Sequence, residues 1–162
     1  MRLLTCLPLL VWAAGAQALT CLPHDVAAVY QDARDSEDRY MVVLGRMSFD
    51  ATRLPETDMT DQANTPPDTR IPARLTGDAL SRAGFIHPYD ADIVLNVQCF
   101  GPWCAGAKSG DPVLAFVNLD AASPEVTITP CGGFAFARPT PEMTEQVIAC
   151  HTGGDCTPRR QR

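Results

Sequence analysis

The clearest strand signal is the run YMVVLGRMSF at residues 40–49, which is rich in strand-forming side chains. Four shorter apolar or alternating segments follow it, at residues 71–76, 93–99, 113–119 and 126–129. Pro72 predicts an edge position for the first of these four, because proline donates no hydrogen bond to a neighbouring strand. Five short strands separated by polar turns predict a small five-stranded barrel.

Two amphipathic segments flank these strands and predict helices. Residues 25–38 repeat apolar side chains every three to four positions, which favours a short helix. Thr140 and Pro141 suit the cap and first position of a second helix, and Gly153 suits its end. The buried stripe of that helix comprises Met143, Val147, Ile148 and Cys150.

Residues 50–68 are polar and acidic and predict a loop. The fold class is therefore mainly β with flanking helices.

The first 18 residues have the pattern of a secretory signal peptide. Arg2 precedes an apolar run at residues 3–14, and the sequence AQA at residues 16–18 suits a signal peptidase. We expect cleavage near Ala18 and a periplasmic or secreted protein. The run is shorter than the roughly 20 apolar residues that span a bilayer, and no later segment reaches that length. A lipid anchor at Cys21 is a poor fit, because Thr20 directly precedes it.

Length and charge limit the remaining chain to a few classes. Residues 19–157 suit a single domain, and residues 158–162 predict a flexible basic tail. The net charge of −6 argues against nucleic acid as a partner, because nucleic-acid recognition depends on basic surface. Lys108 is the only lysine, which we interpret as an effect of base composition.

The cysteine count predicts a disulfide framework. Cys6 lies in the signal segment, and the other six cysteines form an even set, as is usual in small exported domains. Six cysteines allow 15 pairings. Cys99 and Cys104 are close enough in sequence to bridge locally, as are Cys150 and Cys156. These two local pairings are hypotheses.

The order of motifs resembles that of a known superfamily. Cys21-Leu22-Pro23-His24 precedes the VVLGR strand, and the segments LAFV and VTITPCG follow at residues 114–117 and 126–132. A helix ending in Cys150 and Cys156 completes the pattern. The chain resembles the OB-fold domain of the netrin-module and tissue-inhibitor-of-metalloproteinase superfamily. The resemblance implies an OB-like barrel and a bond between Cys21 and Cys131, the cysteine just after the fifth strand.

The protease inhibitors of this superfamily chelate the catalytic zinc of their targets through a free N-terminal cysteine. Cleavage near Ala18 leaves Leu19 and Thr20 ahead of Cys21, so that the Cys21 amine forms a peptide bond. Metalloprotease inhibition is therefore an alternative function that this resemblance implies only if Cys21 becomes the N-terminus.

Two cysteine motifs have simpler interpretations than redox or metal chemistry. Four residues separate Cys99 from Cys104, whereas dithiol catalysts use two and place the attacking thiol at a helix start. Cys150, His151 and Cys156 could form part of a zinc site, but thiols in an oxidising compartment pair with each other first. We therefore expect neither a metal nor another cofactor.

Aromatic residues beside the central strands provide the candidate binding patch, which comprises Phe85, His87, Tyr89, Phe100 and Trp103. Our main hypothesis is an exported binding module without a catalytic role, whose partner is a protein or another envelope component. The alternative is a hydrolase whose fold brings histidines to a carboxylate or hydroxyl, with His24, His87 and His151 as candidates.

Overall fold

The apolar run at residues 40–49 forms a strand with the predicted bounds. The computed structural model describes residues 19–57 and 64–159. A short 3-10 turn occupies Ala51–Arg53. The elements in chain order are α1 (Val26–Asp35), β1 (Tyr40–Phe49), β2 (Asp68–Ser81), β3 (Gly84–Phe100), β4 (Trp103–Cys104), β5 (Pro112–Asn118), β6 (Glu125–Thr129), β7 (Gly132–Gly133), β8 (Ala135–Ala137) and α2 (Pro141–Thr152).

Five of these strands close into a ring. β1 pairs antiparallel with β2 on one side and with β5 on the other. β2 pairs antiparallel with β3, and β6 joins β5 through Asn118 and Glu125. A parallel pairing of β3 with β6, from Val94 to Val97 on β3, completes the ring. The predicted fold class, mainly β with flanking helices and a five-stranded OB-like ring, is confirmed.

Strands β2 and β3 are longer than the sequence predicts. Residues 85–89, expected to lie between strands, belong to β3, and the connection is the turn at Arg82 and Ala83. Gly77, Pro88 and similar turn-favouring residues obscure the strand signal. Each of them nevertheless has a partner on the opposite strand, and such tertiary pairing overrides weak strand propensity.

The predicted edge position of this strand is wrong, because β2 lies between β1 and β3, but Pro72 itself lies beyond the part of β2 that pairs with β1. Pairing between β1 and β2 stops at Ala73, one residue after the proline. On the other side Pro72 pairs with Val94 of β3. The missing amide hydrogen therefore falls where β2 has only one neighbouring strand, which is the position that proline tolerates.

The apolar side chains form two separate cores. One core fills the ring and includes Val43, Ile71, Leu75, Leu95, Val97 and Val126. The other lies between the outer face of the ring and the two helices, and includes Val26, Val29, Leu114, Phe116, Phe136 and Val147. Alternate residues of β1 and β5 face the two cores, because successive side chains of a strand point to opposite faces.

Local capping explains the helix bounds. The Asp25 carboxylate accepts hydrogen bonds from the amides of Ala27 and Ala28, so α1 begins at Val26. Thr140 caps α2 by accepting a hydrogen bond from the Met143 amide, as the sequence predicts. The left-handed conformation of Gly153 ends α2.

Three disulfides join the six cysteines of the described chain. They link Cys21 with Cys131, Cys99 with Cys104, and Cys150 with Cys156. The first spans 110 residues and attaches the N-terminal segment to the turn after β6. The disulfide framework expected from the cysteine count is therefore present.

The predicted signal peptide, residues 1–18, lies outside the described residues, as do residues 160–162 of the predicted tail. Arg159, near the start of that tail, donates its amide hydrogen to the Asp25 carboxylate at 3.1 Å. Within residues 19–57 and 64–159, no helix combines the length and apolar character needed to cross a membrane.

Candidate functional site

The structure divides the predicted binding patch between the two ends of β3. Phe85 is partly buried against the helix-side core, and Tyr89 packs against the core inside the ring. His87 is exposed on the same part of the strand. Phe100 and Trp103 lie at the other end of β3, each 41% exposed. The predicted patch residues therefore lie in two separate groups, because the intervening residues form a single long strand.

Phe100 and Trp103 are held on a braced hairpin between β3 and β4. They are register partners, and the neighbouring pair, Cys99 and Cys104, is joined by a disulfide. Gly101 adopts a φ of 60° in the two-residue turn, a conformation that glycine adopts at no steric cost. The Thr57 hydroxyl donates to the Pro102 carbonyl at 3.0 Å. These contacts fix the backbone that carries both aromatic side chains.

A cavity of about 270 Å³ lies at the same end of the ring as this hairpin. It opens where β1, β3 and β6 end and β5 begins, and we call this region the open end. Most lining side chains are apolar, and Lys108 and Asp111 are the charged ones. The apolar lining includes Met47, Phe49, Leu95, Ala105, Val113, Ile128 and Ala135. A mainly apolar cavity with a few polar groups is the usual form of a ligand site.

The rim of the cavity continues directly into the hairpin and into the Cys21–Cys131 disulfide. Cys104, which follows Trp103, lines the cavity, as do Pro130 and Gly132 on either side of Cys131. Leu22, next to the disulfide in the N-terminal segment, is 87% exposed. Two disulfides therefore anchor separate parts of the open end.

The three histidines have separate environments. The His24 ring stacks on Phe136 with centroids 3.9 Å apart, and its Nε2 donates to the Gly133 carbonyl at 2.9 Å. Burial lowers the pKa of His24 below the ordinary value of 6.5. These contacts describe a packed structural side chain.

His151 lies close to a hydroxyl group, which is one of the two contacts that the hydrolase alternative predicts for a histidine. Its Nδ1 lies 3.1 Å from the Tyr30 hydroxyl, and both side chains line a cleft of about 510 Å³ beside α1. Ser36 also lines this cleft, but its hydroxyl accepts a hydrogen bond from the Asp38 amide in the same turn. No ion pair joins a histidine to a carboxylate within residues 19–57 and 64–159.

The metal and redox alternatives find no support in the cysteine geometry. Cys150 and Cys156 are bonded to each other, and so are Cys99 and Cys104, so these four thiols are not available as ligands or nucleophiles. The described part of the chain contains no group of three or more histidine, cysteine or acidic side chains placed to hold a metal ion.

A buried polar cluster lies on the outer face of the ring. Asn96 and Thr127 both donate to the same carboxylate oxygen of Glu125 at 3.1 Å, and Arg70 forms an ion pair with the other oxygen. Asn96 and Glu125 are each only 8% exposed. The Arg70 ion pair balances the charge of the buried Glu125 carboxylate where β2, β3 and β6 meet, whereas Oδ1 of Asn96 is buried without a hydrogen-bond partner.

The cavity is the part of the site that the sequence does not predict. Its lining comes from the ends of strands that are distant in sequence, and only the closed ring brings them together. One sequence feature could have indicated the cavity: Lys108, the only lysine of the chain, lies at its rim. Base composition alone does not explain why it stands at the mouth of an apolar cavity.

Comparisons with known proteins yield no relative. No protein-family model matches the chain, and no characterised protein matches it. No solved structure matches it either. The resemblance to the netrin and inhibitor superfamily therefore remains a prediction from the order of motifs.

Proposed function

We propose that this chain is an exported binding module without a catalytic role, and that its open end recognises a protein or another envelope component. The supporting observation is the apolar cavity of about 270 Å³ next to two exposed aromatic side chains, Phe100 and Trp103. Exposed aromatic residues beside a pocket are typical anchors of binding surfaces.

The braced hairpin favours binding, because association costs less when the contacting groups are already ordered. The Cys99–Cys104 disulfide and the hydrogen bond from Thr57 to Pro102 hold the backbone of the hairpin in one arrangement. Phe100 and Trp103 each have only two side-chain torsions to fix. The open end is therefore suited to present its aromatic side chains to a partner with a small entropic cost.

The opposite end of β3 suits a partner less well. Residues 84–92 of β3 pair only with β2 among the described strands, which leaves one strand edge open. Pro88, Asp90 and Asp92 lie along this edge. Proline and charged side chains are the usual means by which proteins prevent another strand from adding to an open edge.

Export is supported by the cysteine chemistry. Three disulfides in a small domain indicate an oxidising compartment, since cytosolic reductants keep thiols reduced. The sequence pattern of residues 1–18 is consistent with that compartment. We therefore place the module in the periplasm or outside the cell.

An envelope-fraction binding experiment tests this function. The wild-type chain and the double variant Phe100→Ser/Trp103→Ser are immobilised and exposed to the same extract, and the retained proteins and lipids are identified by mass spectrometry. The variant Ile86→Ser is the matched control, because Ile86 is an exposed apolar residue of the opposite end of β3. We expect a retained species that persists with Ile86→Ser and disappears with the double variant. Equal retention by all three chains would refute the proposal.

A hydrolase is the second candidate, and the contact between His151 and Tyr30 favours it. In that case a panel of ester substrates would be hydrolysed by the wild-type chain. Both His151→Gln and Tyr30→Phe would lower the rate by about 100-fold or more if the pair supplied general acid–base catalysis. A wild-type rate equal to that of either variant would exclude this candidate.

A further inference from the structure

The charge around the cavity is unlike the charge of the whole chain. The chain carries a formal net charge of −6, yet the rim of the cavity contains Lys108. The Arg46 guanidinium donates to the Gly110 carbonyl at 2.8 Å, two residues from that lysine. Lys108 is therefore the cation that lines the cavity, and the Arg46 guanidinium contacts the loop that carries it.

Two carboxylates lie near these cations, and one of them is engaged elsewhere. Asp50 follows the lining residue Phe49 and accepts hydrogen bonds from the amide and hydroxyl of Thr52. Asp111 lines the cavity, and its carboxylate lies 3.9 Å from the Lys108 ammonium. The lining itself therefore carries one cation and one carboxylate, and Lys108 is the more exposed of the two, at 81% against 25%.

Lys108 forms the longest ion pair in the part of the chain that the structure describes. Its side chain is 81% exposed, and its 3.9 Å separation from Asp111 is loose for an ion pair. The pair between Arg74 and Asp90, by comparison, measures 2.8 Å. An exposed ion pair of this kind contributes little stability. The Lys108 ammonium can therefore exchange Asp111 for the anionic group of a ligand.

The cavity itself suits one short apolar chain. Its volume of about 270 Å³ is just below the roughly 300–1,000 Å³ of pockets that enclose drug-sized ligands. Its interior is lined by aliphatic residues such as Met47, Leu95 and Ile128, while the charged groups lie at the rim. This arrangement separates an apolar interior from a charged rim, at which Lys108 is the more exposed group.

From this separation we propose that the cavity binds the apolar chain of a small amphiphilic anion, whose carboxylate or phosphate head group pairs with Lys108. The proposal rests on the binding role of the open end and names the ligand class that this end accepts. Apolar burial supplies most of the affinity, and the lysine selects the charge of the head group.

A titration with three ligands of equal chain length tests the charge selection. Trp103 is the only tryptophan of residues 19–162, the chain expected after cleavage near Ala18, and it reports binding by fluorescence. The ligands are decanoate, decanol and decylammonium, each below its micelle-forming concentration. We expect decanoate to bind about threefold to fivefold more tightly than decanol, in keeping with one exposed charge interaction, and decylammonium to bind more weakly than both. Decyl phosphate in a fourth titration separates a phosphate preference from a carboxylate preference.

Variants at the rim then test the role of Lys108. Lys108→Gln should remove the preference for decanoate while leaving decanol binding unchanged. Asp111→Asn removes the competing carboxylate and should tighten decanoate binding about twofold or more. Arg74→Gln is the matched control, because Arg74 pairs with Asp90 and Asp92 on the β2–β3 hairpin. High salt should weaken the decanoate interaction and spare that of decanol.

Equilibrium dialysis with labelled decanoate and decanol repeats the measurement independently of Trp103. Equal affinity for decanoate and decanol, or tighter binding of decylammonium, would overturn the charge selection. Absence of binding by all four ligands in the titration, and by decanoate and decanol in the dialysis, would overturn the ligand class. Neither result decides the proposed function, which is tested separately and fails if the envelope experiment shows equal retention by the wild-type chain and the Phe100→Ser/Trp103→Ser variant.

Discussion

The two ends of β3 use aromatic residues in opposite ways. At one end Phe85 packs under the helices, and the exposed residues beside it include Pro88 and Asp90. At the other end Phe100 and Trp103 stay exposed beside an apolar cavity. Phe85 and Phe100 are fifteen residues apart, which is about 50 Å along an extended strand. The comparison shows that aromatic content alone does not identify a binding surface, because burial decides which residues a partner can reach.

The largest effect should come from the disulfide that anchors the N-terminal segment to the open end. The double variant Cys21→Ser/Cys131→Ser opens a loop of 110 residues. We expect it to lose about 4–5 kcal/mol of unfolding free energy in the chain-entropy description. Urea denaturation followed by circular dichroism measures this loss. A loss no greater than that of Cys99→Ser/Cys104→Ser would contradict the expectation.

A pair of alanine variants compares the two ends of β3 directly. Phe85→Ala should lower the unfolding free energy by about 2–3 kcal/mol, since a partly buried ring leaves a cavity in the helix-side core. Phe100→Ala should change it by less than about 0.5 kcal/mol, because the ring is exposed. Urea midpoints of the two variants provide the test, and equal losses would mean that the two ends are packed alike.

The disulfide of the hairpin should matter more for binding than for stability. Cys99→Ser/Cys104→Ser opens a loop of only five residues, and we expect a loss of about 2 kcal/mol in unfolding free energy. Retention of the envelope partner should fall further than it does with Cys150→Ser/Cys156→Ser, which opens a loop of similar size. Equal retention by the two variants would show that the bracing of Phe100 and Trp103 is not needed.

The smallest effect concerns His24, whose ring covers Gly132 at the rim of the cavity. Burial lowers the pKa of His24, so the folded chain takes up this proton less readily than the unfolded chain. The contribution of His24 to stability is therefore present above pH 6.5 and is lost as the pH falls below it. When the pH is lowered from 8 to 5.5, the melting temperature should fall further for the wild-type chain than for His24→Phe, which keeps the stacked ring. Identical pH dependence of the two chains would contradict the assignment.

Sequence reasoning predicts the parts of this fold whose signals are local. Strand β1 has its predicted bounds because strand-forming residues are continuous from Tyr40 to Phe49. Thr140 and Gly153 mark the ends of α2 for equally local reasons, since a cap and a left-handed glycine act on neighbouring amides. The closed ring follows from the number and spacing of the strands.

The binding surface depends on contacts that local patterns do not contain. Gly77 and Pro88 obscure the extension of β2 and β3, so the sequence pattern leaves residues 85–89 between two predicted strands. The cavity brings together Met47, Val113 and Ile128 from three strands, and their meeting depends on ring closure. The short strands β4, β7 and β8 were missed for the same reason, because they exist only through pairing with longer strands.

Site-specific photo-crosslinking in the producing cells tests the binding role of the open end most directly. A photoreactive phenylalanine replaces Trp103 in one chain and Ile86 in another, so that one exposed apolar position at each end of β3 is compared. Exposure is 41% at Trp103 and 55% at Ile86, so accessibility alone would favour the control position. We predict a discrete crosslinked product from position 103 and none from position 86. Crosslinking from position 86 alone, or equally from both positions, would contradict the assignment of the open end as the binding surface.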